Sequence, residues 1–80
     1  MSETELYTAS FGPVLRAQRH QKGFSQEELA HRVGLDRTYI SLLERGLRQP
    51  TLGTIVKISS ALEMPPEDFV AELGRPYKVD

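Results

Sequence analysis

The sequence has no cysteine and no tryptophan among its 80 residues. Without cysteine there is no disulfide framework and no thiolate metal site, so the fold must rest on apolar burial, and the composition suits a reducing compartment. No apolar run approaches the roughly 20 residues of a membrane span. The acidic start, with Glu3 and Glu5, stands where a secretory signal would be basic, and the expectation is a cytoplasmic protein with no membrane partner. Period-two alternation is missing too, so no strand is expected. Groupings for catalysis are absent. There are no paired carboxylates and no nucleophile beside a base, and Gly34, Gly46 and Gly53 are too scattered to cradle a phosphate. His20 and His31 fall on different segments at neither i, i+3 nor i, i+4 spacing, so both are read as exposed polar positions. The chain is expected to be a non-enzyme without cofactor or metal.

The excess of one charge over the other is also small, a formal net charge of −1, yet the charges are unevenly distributed. Residues 1–14 hold two carboxylates and no cation. Residues 15–50 hold Arg16, Arg19, Lys22, Arg32, Arg37, Arg45 and Arg48 against Glu27, Glu28, Asp36 and Glu44, a net +3. Residues 51–80 return to −2. A basic middle between acidic ends keeps a nucleic-acid partner open where the whole-chain charge would argue against one. Chains of this length bury only about 60–65% of their unfolded surface, which allows one small core and excludes a second domain.

Glycine, proline and apolar spacing divide the chain into five short helices, an all-α reading. The first is expected over residues 8–22, with Pro13 in its first turn, Phe11, Leu15 and Arg19 on one face, and Gly23 past its end. Ser25 starts the second as a capping box with Glu28, flanked by a Phe24–Leu29 staple, and Gly34 stops it after Val33. Asp36 caps the third, Arg37 to Arg45, with Leu35 and Ile40 as staple and Gly46 beyond. Thr51 caps the fourth, which runs to Leu62 with Leu52, Ile55, Ile58 and Leu62 facing inward. The fifth begins with Pro66 at its first position and ends at Gly74. Residues 1–7 and 75–80 are expected to be tails flanking a domain over 8–74.

The second and third segments, joined through Gly34, with Ala30 where they approach and apolar Leu29, Val33, Leu35, Ile40 and Leu43, make a helix-turn-helix pattern. Cap, staple, turn glycine and apolar positions agree from Gln26 to Arg45. The sequence resembles the Xre/Cro/C1-type helix-turn-helix regulators. The resemblance lies in the run from Phe24 to Ala30, in Val33-Gly34-Leu35, Tyr39-Ile40-Ser41, Glu44-Arg45-Gly46, Pro50-Thr51-Leu52 and Lys57-Ile58, and spans residues 11–74. Within that family, the run from Leu35 to Ser41 and the short chain resemble the controller proteins of restriction-modification systems. The resemblance implies a compact five-helix, lambda-repressor-like domain that dimerises and reads a double-stranded DNA operator. It leaves open an RNA polymerase or toxin partner, the latter if the chain is an antitoxin. An adaptor that has kept the fold without DNA binding is the alternative of another class.

At 100° per residue, Ile40, Leu43 and Glu44 share one face of the third helix. Thr38, Ser41, Leu42 and Arg45 fall on the opposite face, flanked by Arg37 and Tyr39. That small, polar and basic face suits a groove, and it argues against the adaptor. Arg37 is expected to contact guanine, Thr38 and Ser41 to make shorter base contacts, and Leu42 to touch a thymine methyl or stand as an isolated surface leucine. Phosphate contacts are expected from Gln26, Tyr39, Arg45 and Arg48. Arg19 and Glu44 each interrupt an apolar face. A buried charge is tolerable only beside an opposite one, so the two are expected to pair, and the resemblance implies the same pair. Met64 and Val70 are the candidates for a dimer surface, or else complete the core.

Overall fold

The computed structural model describes residues 1–75 and forms five helices, with no strand among them. They are α1 (Glu3–Gln21), α2 (Gln26–Val33), α3 (Arg37–Glu44), α4 (Leu52–Ala61) and α5 (Pro66–Leu73). The expected tail at 75–80 lies, apart from Arg75, outside the described residues. No helix among the described residues is long and apolar enough to cross a membrane.

The core follows the apolar spacing. Leu15, Leu29, Ile40, Ile58, Leu62 and Phe69 are fully buried, with Phe11, Ala30, Leu43 and Leu73 nearly so. Phe11 meets Phe69 at a centroid separation of 5.6 Å, which ties α1 to α5. Around this core α1 packs on α3 and α5, α2 on α3 and α4, and α4 on α5. The α2–α3 pair is thereby held by α1 and α4, and Arg37 and Thr38 at the start of α3 are left exposed.

Four expectations need correction. Helix α1 starts at Glu3 and not near residue 8, because Ser2 caps it: its hydroxyl accepts from the Glu5 N–H at 3.1 Å while the Glu5 carboxylate accepts from the Ser2 N–H at 3.0 Å. Residues 3–7 are therefore helical, and Pro13 lies inside the helix. At α2 the Ser25 hydroxyl does cap the Glu28 N–H, but the Glu28 carboxylate turns away to Arg32 at 3.0 Å, so the reciprocal half of the box is not made. Asp36 occupies the N-cap of α3 without a side-chain capping bond. Leu52, expected to face inward, is 75% exposed at the first position of α4, where the first turn projects beyond the core. Thr51 caps that helix through the Thr54 N–H, as its position suggests.

The interior glycine of α1 has a separate cause. A Cβ on Gly12 would run into the backbone carbonyl of Glu44, so only glycine lets α1 lie this close to the end of α3.

Candidate nucleic-acid interface

Helix α2 ends because Gly34 adopts a left-handed conformation with φ +71°, and the Leu35 N–H then donates back to the Ala30 carbonyl at 2.9 Å. That closure reverses the chain within Leu35 and Asp36, and α3 starts at Arg37. Ala30 is buried where α2 abuts α3, and a larger side chain there would push the two apart.

The buried face of α3 is Ile40 and Leu43. Glu44 continues it, and its side chain is only 4% exposed. Arg19, at 8%, meets it in a two-pronged pair, Nε to Oε2 at 2.6 Å and Nη2 to Oε1 at 3.0 Å. The remaining guanidinium nitrogen, Nη1, donates to the Phe24 carbonyl at 2.7 Å. One side chain thus fastens α1, the turn before α2 and the end of α3. Fork geometry suits arginine to this role, and lysine could not make all three bonds at these positions.

On the outer side, Gln26, Arg37, Thr38, Ser41 and Arg45 line one polar cleft between the start of α2 and α3. Arg37, Thr38 and Arg45 are exposed and Ser41 is half-buried. The structure therefore brings together three of the residues read as base contacts and two read as phosphate contacts. Leu42 and Tyr39 are half-buried outside that lining, and Tyr39 packs against the core. Arg48 is exposed in the loop between α3 and α4. The first-turn N–H groups of α3 carry partial positive charge beside Arg37, offset in part by the Asp36 carboxylate at the N-cap. Outside the cleft, Glu63 is held below the usual carboxylate range by its bond to Lys22 at 2.9 Å.

Gln26 has a partner that its position in the sequence does not announce: its side-chain amide donates to Glu44 Oε1 at 3.1 Å. Met64 and Val70 are both half-buried. Met64 packs against the core, whereas Val70 lines an apolar groove with Tyr7, Phe11, Pro50 and Ile55. Among the described residues, the large apolar side chains most exposed after Met1 are Leu47, Leu52 and Val56, in the α3–α4 loop and on α4. Among the described residues no group of three potential ligands is placed to hold a metal ion.

Residues 15–69 match the profile of a family described as helix-turn-helix. The chain belongs to the helix-turn-helix family. Its type is that of the Xre/Cro/C1 regulators. This helix-turn-helix chain is 48% identical over 61 residues to control protein C.BamHI of Bacillus amyloliquefaciens, covering 75% of each chain. It is similar to the restriction-modification controller protein C.AhdI of Aeromonas hydrophila, with a TM-score of 0.73 and 42% identity over 82% of this chain and 97% of that one. It is also similar to the controller protein C.Esp1396I, solved as a tetramer with its natural 35 base-pair operator. There the TM-score is 0.77 at 36% identity, over 84% of this chain and 88% of that one.

Proposed function

We propose that this chain is a sequence-specific DNA-binding transcriptional regulator, the controller of a restriction-modification operon, and that it acts in the cytoplasm as a homodimer on a palindromic operator. The observation that carries the reading is the cleft of Gln26, Arg37, Thr38, Ser41 and Arg45. It joins two guanidinium groups to small hydroxyls on a helix whose other face is locked into the core. An α-helix fits the major groove, and its N-terminal residues lie nearest the base edges. Arg37 and Thr38 stand there, with Ser41 one turn on. Arg37 reads guanine, Thr38 and Ser41 read neighbouring bases, and Leu42 contacts a thymine methyl. Gln26, Tyr39, Arg45 and Arg48 hold the phosphates and set the register. Similarity to a controller protein solved on its operator supports the same reading.

Selection of randomised duplexes by the purified chain at low salt tests it. A palindromic motif is expected to enrich. Failure to enrich any motif sinks the reading in favour of a protein-binding adaptor.

A further inference from the structure

Glu44 Oε1 accepts from two sides at once, from Arg19 Nη2 at 3.0 Å and from Gln26 Nε2 at 3.1 Å. The first partner is buried and belongs to the core; the second lines the polar cleft. We propose that Glu44 is a positioning residue for DNA binding, its carboxylate fixing the side-chain amide of Gln26 so that the buried ion pair sets one of the contacts to DNA. This rests on the DNA-binding reading of the cleft and adds a residue that never touches DNA to the machinery.

The chemistry is directional. An ionised carboxylate only accepts hydrogen bonds, so the amide facing it must present its NH2 group. That removes one of the two ways in which a glutamine amide can be turned. What remains for a ligand is the second N–H and the carbonyl oxygen, in a known order. The N–H suits a phosphate oxygen or an acceptor on a base edge, and the carbonyl suits a donor. A glutamine ordered before DNA arrives loses less rotamer freedom on binding than one free in solvent.

A carboxylate near a DNA surface would ordinarily repel phosphate. Here Arg19 offsets its charge through two bonds, and with the Glu44 side chain 4% exposed the anion stays away from the ligand. Glu44 can therefore orient Gln26 without repelling the DNA. An uncharged amide at position 44 would lose that control, because it offers both a donor and an acceptor and permits either orientation of Gln26.

The test is a double-mutant cycle on the full chain, with the duplex enriched by selection as probe. Operator affinity and denaturant stability are measured for the native sequence, Gln26→Ala, Glu44→Gln and the double variant. Gln26→Ala is expected to weaken binding about tenfold in the native background and less than about threefold beside Glu44→Gln, a coupling typical of residues in one hydrogen-bonded network. The denaturation midpoint of Gln26→Ala is expected to fall far less than that of Glu44→Gln, which separates positioning from a merely structural role. Nitrogen-edited NMR of the free chain should show slowed exchange at the Gln26 side-chain NH2, lost in Glu44→Gln. Should Glu44→Gln fail to fold, Gln26→Met in the native background decides: unchanged affinity or rapid NH2 exchange in the native chain overturns the proposal. An enriched motif with costs that simply multiply overturns the positioning role alone. No enriched motif at all overturns the DNA reading and this inference with it.

Discussion

Arg19 sits on the face of α1 that also carries Phe11 and Leu15, where a cation can remain only if every strong donor finds an acceptor. Glu44 and the Phe24 carbonyl supply them. Removing either charge leaves the other buried and unpaired, so Arg19→Ala or Glu44→Ala alone is expected to cost about 3–5 kcal/mol, and an apolar double replacement to recover much of it. Denaturant titration of the four chains reads the result; small, strictly additive changes would mean that the pair does not hold the fold. The pair is legible in the sequence because each charge interrupts an otherwise apolar helical face. The Gln26–Glu44 bond is not, since a polar residue at a helix start has no periodicity to betray its partner. Gly12 is equally silent. Its constraint is the backbone of another helix, which the spacing along α1 does not announce. Gly12→Ala would raise intrinsic helix propensity, yet crowding against the Glu44 carbonyl is expected to dominate and to destabilise by about 1–3 kcal/mol.

Among the helices, caps that make their bonds and caps that do not give different expectations. Ser25→Ala removes a hydroxyl that holds the Glu28 N–H and is expected to cost about 1 kcal/mol, whereas Asp36→Ala should cost less, because Asp36 makes no such bond. Comparable losses would show that the Asp36 side chain caps α3 in solution. At α1 the Glu5 carboxyl is held below its ordinary range by the Ser2 backbone N–H first and the Ser2 hydroxyl second. A depressed carboxyl pKa contributes stability that is present at neutral pH and is lost as pH falls through the depressed value. Protection factors of the amides in the first turn of α1 should accordingly fall on acidification, and Glu5→Gln should remove that pH dependence. Sequence punctuation places α2 to α5 closely because glycine, proline and hydroxyl caps mark their ends. It misplaces the start of α1 because Pro13 imitates a first turn and the Ser2–Glu5 box lies in a stretch without apolar periodicity. In α3 the contrast lies between Arg37, at the start of the cleft, and Arg48, in the loop. Arg37→Ala is expected to relax specificity at one base pair by about 1–3 kcal/mol, while Arg48→Ala weakens all sequences alike. Equal losses on cognate and altered duplexes for both variants would make Arg37 a phosphate ligand.

Taken as a whole molecule, the chain separates its charge, and the basic block of residues 15–50 supplies the cleft while the acidic residues of α5 lie elsewhere. One recognition helix of eight residues reaches only a few base pairs, too few to single out an operator in a genome. A two-fold dimer doubles the site, with half-sites about 34 Å apart. In the proposed dimer the joining surface is expected to be apolar and to lie away from the cleft. Val70 lies in the groove shared with Ile55 and Pro50, and Leu52 and Val56 extend the exposed apolar surface along α4. Two substitutions distinguish the faces. Val70→Glu is expected to give a folded monomer by sedimentation, with greatly weakened operator binding, if α5 forms the interface. Leu52 is too exposed for Leu52→Glu to unfold the chain, so that variant tests α4 without the ambiguity that a half-buried valine carries. An intact dimer with Val70→Glu and a monomer with Leu52→Glu would move the interface to α4; an unfolded chain with Val70→Glu beside an intact dimer with Leu52→Glu would assign Val70 to the core and leave α4 outside the contact.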